Sequence, residues 1–550
     1  MILEYRIDYR SSSTVYEKIF LKTLDKCSLI GKIIRDNFIL KCYVEADSSE
    51  ELESFSNEFT SSLPNSIFLY DTKASMVQSI PEEDGLDISR IEKLKLPFCL
   101  DCLDDVNNKG SKDYYNIYKS CDICGYSIEG EEKNYKKYFQ EIARKIKTGA
   151  LVNINTFYGN YTVGLPSKIC NDIKCDLISY DYATLSKYMV ATEEELQAIA
   201  SFEKPFIRLK TELKFALDYE SVEKDLFRCK LADDFVLYFL MHELNYLDEN
   251  IIFITKENIS ADEIFKVVSF QNEIEPIEMV ISKTHKAIIR GKKGLPEFPL
   301  LREEIVPSHG ALLSVVHEHK LDFNNFASLY VSKEHRTSIL VYGKKYGFIN
   351  YIDFKFKYDS IKSILDEIAQ TDETTKKLLE NYNKKFVQHV EKINTISWDN
   401  SSFSIYELWG VCAIILGLTK TKNLQEAAQE LEDNNIKFLG KKGPRIDYKL
   451  IQKDSRTELD PLKVIRSAMS FKLAGIDDLT LSYGIMESFV EFISHEFDVL
   501  KESMGVEAIS ISGSMLQNKK LFSRLCKDSS INHKIYIHNE LIVDGDTIFK

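Results

Sequence analysis

Four cysteines carry the most specific chemistry in the chain. Residues 98–125 read FCLDCLDDVNNKGSKDYYNIYKSCDICG: Cys99 and Cys102 two residues apart, an eighteen-residue loop, then Cys121 and Cys124. Each Cys-x-x-Cys turns back tightly enough to set two thiolates at neighbouring corners of a tetrahedron, and the loop brings the second pair opposite the first. This is the spacing of a structural zinc ribbon. Four thiolates with no histidine nearby close the coordination sphere and leave no position for a catalytic water. Two unrelated Cys-x-x-Cys pairs, or a redox pair in a thioredoxin-like turn, are the competing readings. No βαβ pattern surrounds either pair, so the sequence predicts a zinc held by Cys99, Cys102, Cys121 and Cys124.

Elements must position these thiols, and composition bounds them. At 550 residues the chain should form several domains, because single cores rarely exceed roughly 250–300 residues. An apolar content of 44% is ample for globular cores. Seven of the eleven cysteines lie outside the ribbon without paired spacing, which suits a reducing cytoplasm better than a disulfide framework. The N-terminal MILEYRIDYR carries charges where a signal peptide needs an apolar run. The longest strongly apolar stretch, residues 408–418 (LWGVCAIILGL), is too short to span a bilayer. A net charge of −14 disfavours generic binding to nucleic acid or anionic membrane.

Along the chain, Tyr5, Ile7 and Tyr9 alternate with polar residues as a half-buried strand does. Val15, Ile19 and Leu24 fall near helical spacing, residues 29–34 form a further strand, and Phe38, Leu40, Cys42 and Val44 alternate again. Ser48 followed by Glu51 is a capping box that opens a helix with Leu52, Phe55 and Phe59 on one face. With a closing strand at 67–70 the order is βαββαβ, a ferredoxin-like unit, and 81–87 reads as a linker. A helix over 134–147 places Tyr138, Ile142 and Ile146 together and stops at Gly149. Strands at 150–156, 206–209 and 251–255, with a capped helix from Thr192, make the middle portion mixed α/β. The last 250 residues contain long helices at 360–379, 405–416 and 477–501. A strand at 508–512 then leads through Gly513-Ser514 into a helix from about Gln517.

With these landmarks in place, the chain resembles the HypF family, the carbamoyltransferases of nickel–iron hydrogenase maturation. The cysteines resemble the first of that family's paired zinc motifs. Residues 149–164 (GALVNINTFYGNYTVG), 195–209 (ELQAIASFEKPFIRL) and 285–296 (HKAIIRGKKGLP) are similar to landmarks of its YrdC-like domain. Residues 409–432 resemble the helix pair of its carbamoyltransferase domain, and 511–521 (ISGSMLQNKKL) its Ser-Gly-Gly-x-x-Gln-Asn loop. The resemblance implies an α+β and α/β multidomain protein. Its parts would be an acylphosphatase-like ferredoxin-type domain over 1–90, a four-cysteine zinc segment over 91–130, a YrdC-like domain over 131–300, and a two-lobed carbamoyltransferase-type domain over 301–550. Candidate phosphate- or nucleotide-binding residues are Ser512, Gly513, Ser514 and Asn518, with Asp544 matching the family's terminal Asn-Asp-Gly-Gly and Asn258 and Ser260 its Ser-Gly-Asn-x-Ser turn.

The chain departs from the family where polar chemistry sits. The glycine-rich acylphosphatase loop is Arg10 to Thr14 (RSSST), with no glycine to open an amide cradle. Arg10 reads as a solvated turn residue. The second zinc motif is missing. The basic Lys-Arg-Arg-Pro stretch is replaced near 167–174, where Lys168 and Lys174 keep some charge. The His-His-His-Ala-His metal motif falls on Pro307-Ser308-His309-Gly310-Ala311, and His309, His317 and His319 read as solvated. In the helix pair a carboxylate becomes Gly410 and an arginine becomes Glu407. No residue of the chain is assigned a catalytic role. The resemblance therefore implies a catalytically reduced accessory protein, with structural zinc, that binds a hydrogenase subunit or maturation protein in the cytoplasm without membrane insertion. The alternative it implies is an active carbamoyltransferase that uses carbamoyl phosphate and ATP to carbamoylate a partner's cysteine for cyanide-ligand synthesis.

Overall fold

Tyr5, Ile7 and Tyr9 turn inward from the strand Ile2–Tyr9 and are buried, while Arg6 between them is exposed. The computed structural model describes residues 1–11, 13–36, 38–82, 97–156, 158–169, 171–257, 259–265, 276–290, 306–321, 325–343, 345, 347–354, 356–398, 404–453 and 456–539. Ile2–Tyr9 pairs antiparallel with Ile39–Glu45 on one side and Leu69–Val77 on the other, and Ile30–Asp36 flanks Ile39–Glu45. Helices Val15–Cys27 and Ser49–Ser62 complete the βαββαβ unit. The Phe20 ring meets those of Phe55 and Phe59 edge to face at 5.5 and 5.4 Å. Ser48 accepts the Glu51 N–H at 3.2 Å, while the Glu51 carboxylate reaches one residue further back, to the Asp47 N–H. The closing strand runs on to Val77, beyond the expected 67–70, because it follows Ile2–Tyr9 along its whole length.

The chain divides into two compact bodies, one spanning Met1–Met279 and one built from Val280–Ile289 and the described residues after 305. The first continues past the ferredoxin-like unit into an eight-stranded mixed sheet. Its centre is Ile251–Thr255, fully buried, between Gly159–Gly164 and Asp176–Ser179. Two helices, Lys136–Lys147 and Phe235–Asn245, pack together through Phe139 and Phe239, ring centroids 5.6 Å apart. The buried stripe of the first helix is Phe139, Ile142, Ala143 and Ile146, with Tyr138 only half-buried. This corrects the expected Tyr138 face: the spacing of three and four tracks 3.6 residues per turn better than a strict spacing of four.

In the second body a seven-stranded sheet supports the helices. The strands Phe326–Tyr330 and Ala508–Ser512 are buried at every position and lie parallel, Phe326 opposite Ala508. The hairpin Ser338–Gly343 with Gly347–Asp353 extends this sheet. The helix expected over 360–379 is two helices, Ile361–Thr371 and Glu373–Lys385. Asp372 ends one and caps the other by accepting the Thr375 N–H at 2.7 Å. The helix Ile405–Leu416 is buried all round, and its Trp409 donates to the Tyr448 hydroxyl at 3.1 Å.

Gly410 lies where that helix crosses the start of Leu424–Lys437. A Cβ there would stand 2.2 Å from the Leu424 carbonyl oxygen, so the backbones meet with no space for a side chain. Gly410→Ala should therefore lower stability by about 1–3 kcal/mol through overpacking, read as a lower denaturation midpoint. An unchanged midpoint would show that the two helices separate freely.

Candidate functional site

Cys99 precedes the short helix Leu100–Asn107, and Cys102 lies in its first turn, with the Leu103 N–H donated to the Cys99 carbonyl at 3.1 Å. Cys121 and Cys124 sit in a reversal closed by the Gly125 N–H on the Cys121 carbonyl and the Cys121 N–H on the Tyr126 carbonyl. Gly125 takes φ +73° there, a conformation glycine adopts without strain. The Sγ atoms of Cys99 and Cys102 are 3.6 Å apart; those of Cys99 and Cys121, and of Cys102 and Cys124, are 3.8 Å apart. All four lie within 4.8 Å of one another. A tetrahedral ion about 2.3 Å from each sulfur needs sulfur–sulfur edges of roughly 3.8 Å, so the cage has the size of such a centre. Hydrogen bonding with Cys102 holds Cys121 and Cys124 low, while hydrogen bonding to Cys121 and Cys124 pushes Cys102 up. Crowded thiols divide their protons this way, and a bound cation removes the conflict. Among the described residues, this is the group of His, Cys, Asp or Glu side chains placed to hold a metal ion.

Aromatic packing fixes the cage to the first body. Phe98 stacks on Phe235 at 4.5 Å, nearly parallel, and the Tyr126 hydroxyl accepts the Phe235 N–H at 3.2 Å. Tyr115 stacks on Phe239 at 4.5 Å and donates its hydroxyl proton to Glu243.

In the ferredoxin-like unit, the turn after Tyr9 faces the guanidinium of Arg35. Arg35 donates to the carbonyl oxygens of Tyr9, Ser11 and Ser13 and pairs with Glu17. Three carbonyls of the described residues thus point to the centre of this turn, and a cation of the chain itself occupies it. The polarity is opposite to that of a phosphate cradle. Glu17 is fully buried, and burial pushes its carboxyl up against the opposing effect of Arg35. Arg10, expected in solvent, instead makes two 3.0 Å bonds to the Asp8 carboxylate and lies 3.8 Å over the Tyr70 ring.

The loop after Ala508–Ser512 is likewise closed by internal groups. Ser512 is fully buried, with its hydroxyl 3.1 Å from His538 Nε2, and His538 Nδ1 is 3.2 Å from Glu318. Gly513 takes φ +109°, and a Cβ there would meet the Val331 carbonyl oxygen at 2.1 Å. The Ser514 hydroxyl accepts the Lys333 N–H at 2.9 Å. A single 3₁₀ turn, Ser514–Gln517, precedes the helix Lys519–Ser529, which therefore starts later than expected. The Met515 N–H goes to the Val331 carbonyl, and Asn518 caps the helix by accepting from Lys520 and Leu521.

Lys333 is the residue the sequence reading missed. Its Nζ donates to Gln429 at 2.9 Å and to the buried Glu432 at 2.7 Å, and it lies 5.0 Å over the Tyr406 ring. Its only local signal is its place just past a buried strand. Nearby on the same helix as Glu432, Asn435 is fully buried with neither amide atom hydrogen-bonded, and one oxygen of Glu432 and the Asn518 Nδ2 are also unpaired.

The remaining candidates do not gather into a site. His309 stacks on Phe348 at 4.2 Å, and burial lowers its pKa; His319 is 2.8 Å from the Ile537 carbonyl. Both are half-buried and packed, which corrects the solvated reading, because the helix Pro307–Glu318 and the turn that follows it lay them against neighbouring residues. The side chain of His317 lies outside the description, as do Asn258 and Asp544. Ser260, Lys168 and Lys174 are exposed.

A ferredoxin-like unit, a four-cysteine knuckle, an eight-stranded mixed sheet and a second α/β body, in this order, define a multidomain α/β architecture that has solved counterparts. It is the fold of HypF. Full-length HypF in its phosphate- and nucleotide-bound form aligns over 99% of this chain and 97% of its own, with a TM-score of 0.66 at 15% identity. The HypF of T. kodakarensis aligns over the same shares with a TM-score of 0.69 at 11% identity. Protein HydE of Wolinella succinogenes is 25% identical over 534 residues, spanning 92% of this chain and 93% of its own. No family model matches the chain.

Two outcomes test these assignments. Elemental analysis of purified protein should return one metal ion per chain, and Cys121→Ser should lower that content and speed amide exchange through residues 97–128; metal-free protein would remove the centre. Arg35→Ala should cost about 3–5 kcal/mol, because it strands a buried carboxylate, whereas the apolar pair Arg35→Met with Glu17→Leu should recover most of the loss in chemical denaturation. A single variant as stable as the parent would show that Arg35 does not fill the turn.

Proposed function

We propose that this chain is a cytoplasmic accessory protein of nickel–iron hydrogenase maturation. In this reading it is a catalytically reduced relative of HypF, acts by binding a hydrogenase component or maturation factor, and carries zinc in its four-cysteine cage. The end-to-end likeness to HypF and the 25% identity to HydE support the maturation role. The observation that carries the catalytic part is the occupation of the Ser512–Ser514 loop and the turn after Tyr9 by the chain's own groups. A triphosphate brings several negative charges, and cations and oriented donors must offset their desolvation. Here Pro307 and Ala311 stand where metal-binding histidines are expected, Lys333 is held by Glu432, and Glu407 is buried beside the helix crossing. Zinc in such a cage contributes on the order of 10 kcal/mol to local folding, which suits a structural part of a binding protein. Among the described residues, no helix is long and apolar enough to cross a membrane.

One observation favours a second reading, an active carbamoyltransferase using carbamoyl phosphate and ATP. The unpaired atoms of Glu432, Asn435 and Asn518 are polar groups that a bound molecule could satisfy. Calorimetry separates the two. Titration with ATP, magnesium and carbamoyl phosphate should show no binding tighter than about millimolar. Micromolar ATP binding, or carbamoyl-phosphate-dependent pyrophosphate exchange, would establish the enzyme instead.

A further inference from the structure

A cleft of about 310 Å³ lies between the helices Lys136–Lys147 and Phe235–Asn245, at the lower end of the range for small-molecule sites. Lys136, Gln140 and Arg144 form one wall, four residues apart along one helix face; Glu243 and Tyr246 form the other. Glu243 is 5% exposed. One of its carboxylate oxygens accepts the Tyr115 hydroxyl proton, and the other has no hydrogen-bond partner among the described residues. Lys136 is held by the Tyr114 hydroxyl at 3.0 Å and lies over the Tyr114 and Tyr115 rings at 5.5 and 5.3 Å. Neither Lys136 nor Arg144 has a carboxylate partner among the described residues, although on the same helix Lys145 pairs with Glu141 and Lys147 with Glu249. In a chain with a net charge of −14, two cations facing one cleft, neither of them in an ion pair among the described residues, are a marked local departure, although the charge of Glu243 acts on Lys136 across it.

The cleft thus presents two cations, one inward carboxylate and an amide between them, beside the exposed ring of Tyr246. Lys136 and Arg144 are about 12 Å apart along the helix axis, and their long side chains can converge over Gln140. A ligand with two anionic ends and one cationic donor beside one of them complements every charge. Neutralising only the cations would leave Glu243 facing an anion at close range in a partly desolvated site, which is unfavourable. A plain dicarboxylate or a phosphate is therefore a poorer fit. We propose that this cleft binds an acidic α-amino acid, its carboxylates on Arg144 and Lys136 and its ammonium group on Glu243. The site does not rest on the maturation role, but Tyr114 and Tyr115 of the four-cysteine segment help to hold it.

Calorimetric titration of the full chain with L-glutamate tests it. Glutarate, which keeps both carboxylates and lacks the ammonium group, and L-glutamine, which lacks the second carboxylate, are the comparison ligands. Saturable binding of L-glutamate is expected, at least about tenfold tighter than that of either comparison ligand, a difference of roughly 1.4 kcal/mol. Arg144→Ala, at an exposed position, should weaken L-glutamate about tenfold without moving the denaturation midpoint. Glu243→Gln should narrow the preference over glutarate. No saturable heat with L-glutamate, equal affinity for glutarate, or an unchanged affinity in Arg144→Ala would each overturn the proposal.

Discussion

Four sulfur atoms within 4.8 Å of one another are the constraint on which the first body turns. Thiolates at that spacing repel, and thiols at that spacing compete for too few acceptors. The arrangement is at ease only around a cation. The segment that carries them has one eight-residue helix and a series of turns, too little to build a core of its own. It borrows one instead: Phe98, Tyr115 and Tyr126 lie against Phe235 and Phe239 of a helix more than a hundred residues away. The cage orders the knuckle, the aromatic face seats it, and the same helix presents Glu243 to the neighbouring cleft.

A second theme runs through both bodies. In the turn after Tyr9 and around the Ser512–Ser514 loop, the chain's own side chains and backbone occupy the space. Arg35 fills the turn after Tyr9, and Lys333 reaches between Tyr406 and Glu432. Gly513 is pressed onto the Val331 carbonyl. The packing beneath these places is intact, with Trp409 and its helix wholly buried. Each buried apolar side chain there contributes to stability whatever the site does.

How much of this could be read from the sequence depends on distance along the chain. The cysteine spacing, the Ser48 and Thr192 caps and the alternation of Tyr5, Ile7 and Tyr9 are local, and each is where the sequence places it. Asp372 splits an expected single helix because a good N-cap also ends what precedes it, which periodicity alone does not weigh. The filled sites were illegible for a plain reason. Arg35 reaches Tyr9 across 26 positions and Lys333 reaches Glu432 across 99. Nothing in the residues between marks such a pairing, and an arginine on a strand reads as a surface charge. Gly410 was legible as a lost carboxylate, yet only the 2.2 Å approach of the Leu424 carbonyl shows that no side chain could stand there.

The parallel pairing of Phe326–Tyr330 with Ala508–Ser512 sets the order of events as the chain is made. Ser328 meets Ser510 across 182 residues, and Ala508–Ser512 in turn holds Lys534–Tyr536. The middle of the second sheet therefore cannot close until residue 512 has left the ribosome, whereas the described strands of the first body are available once residue 279 has. At some 5–20 residues per second the interval between the two is on the order of ten seconds or more. During that time the buried strand Phe326–Tyr330 has been made but still lacks its parallel neighbour Ala508–Ser512. Buried strands left unpaired for that long are the part of such a chain most open to misassociation.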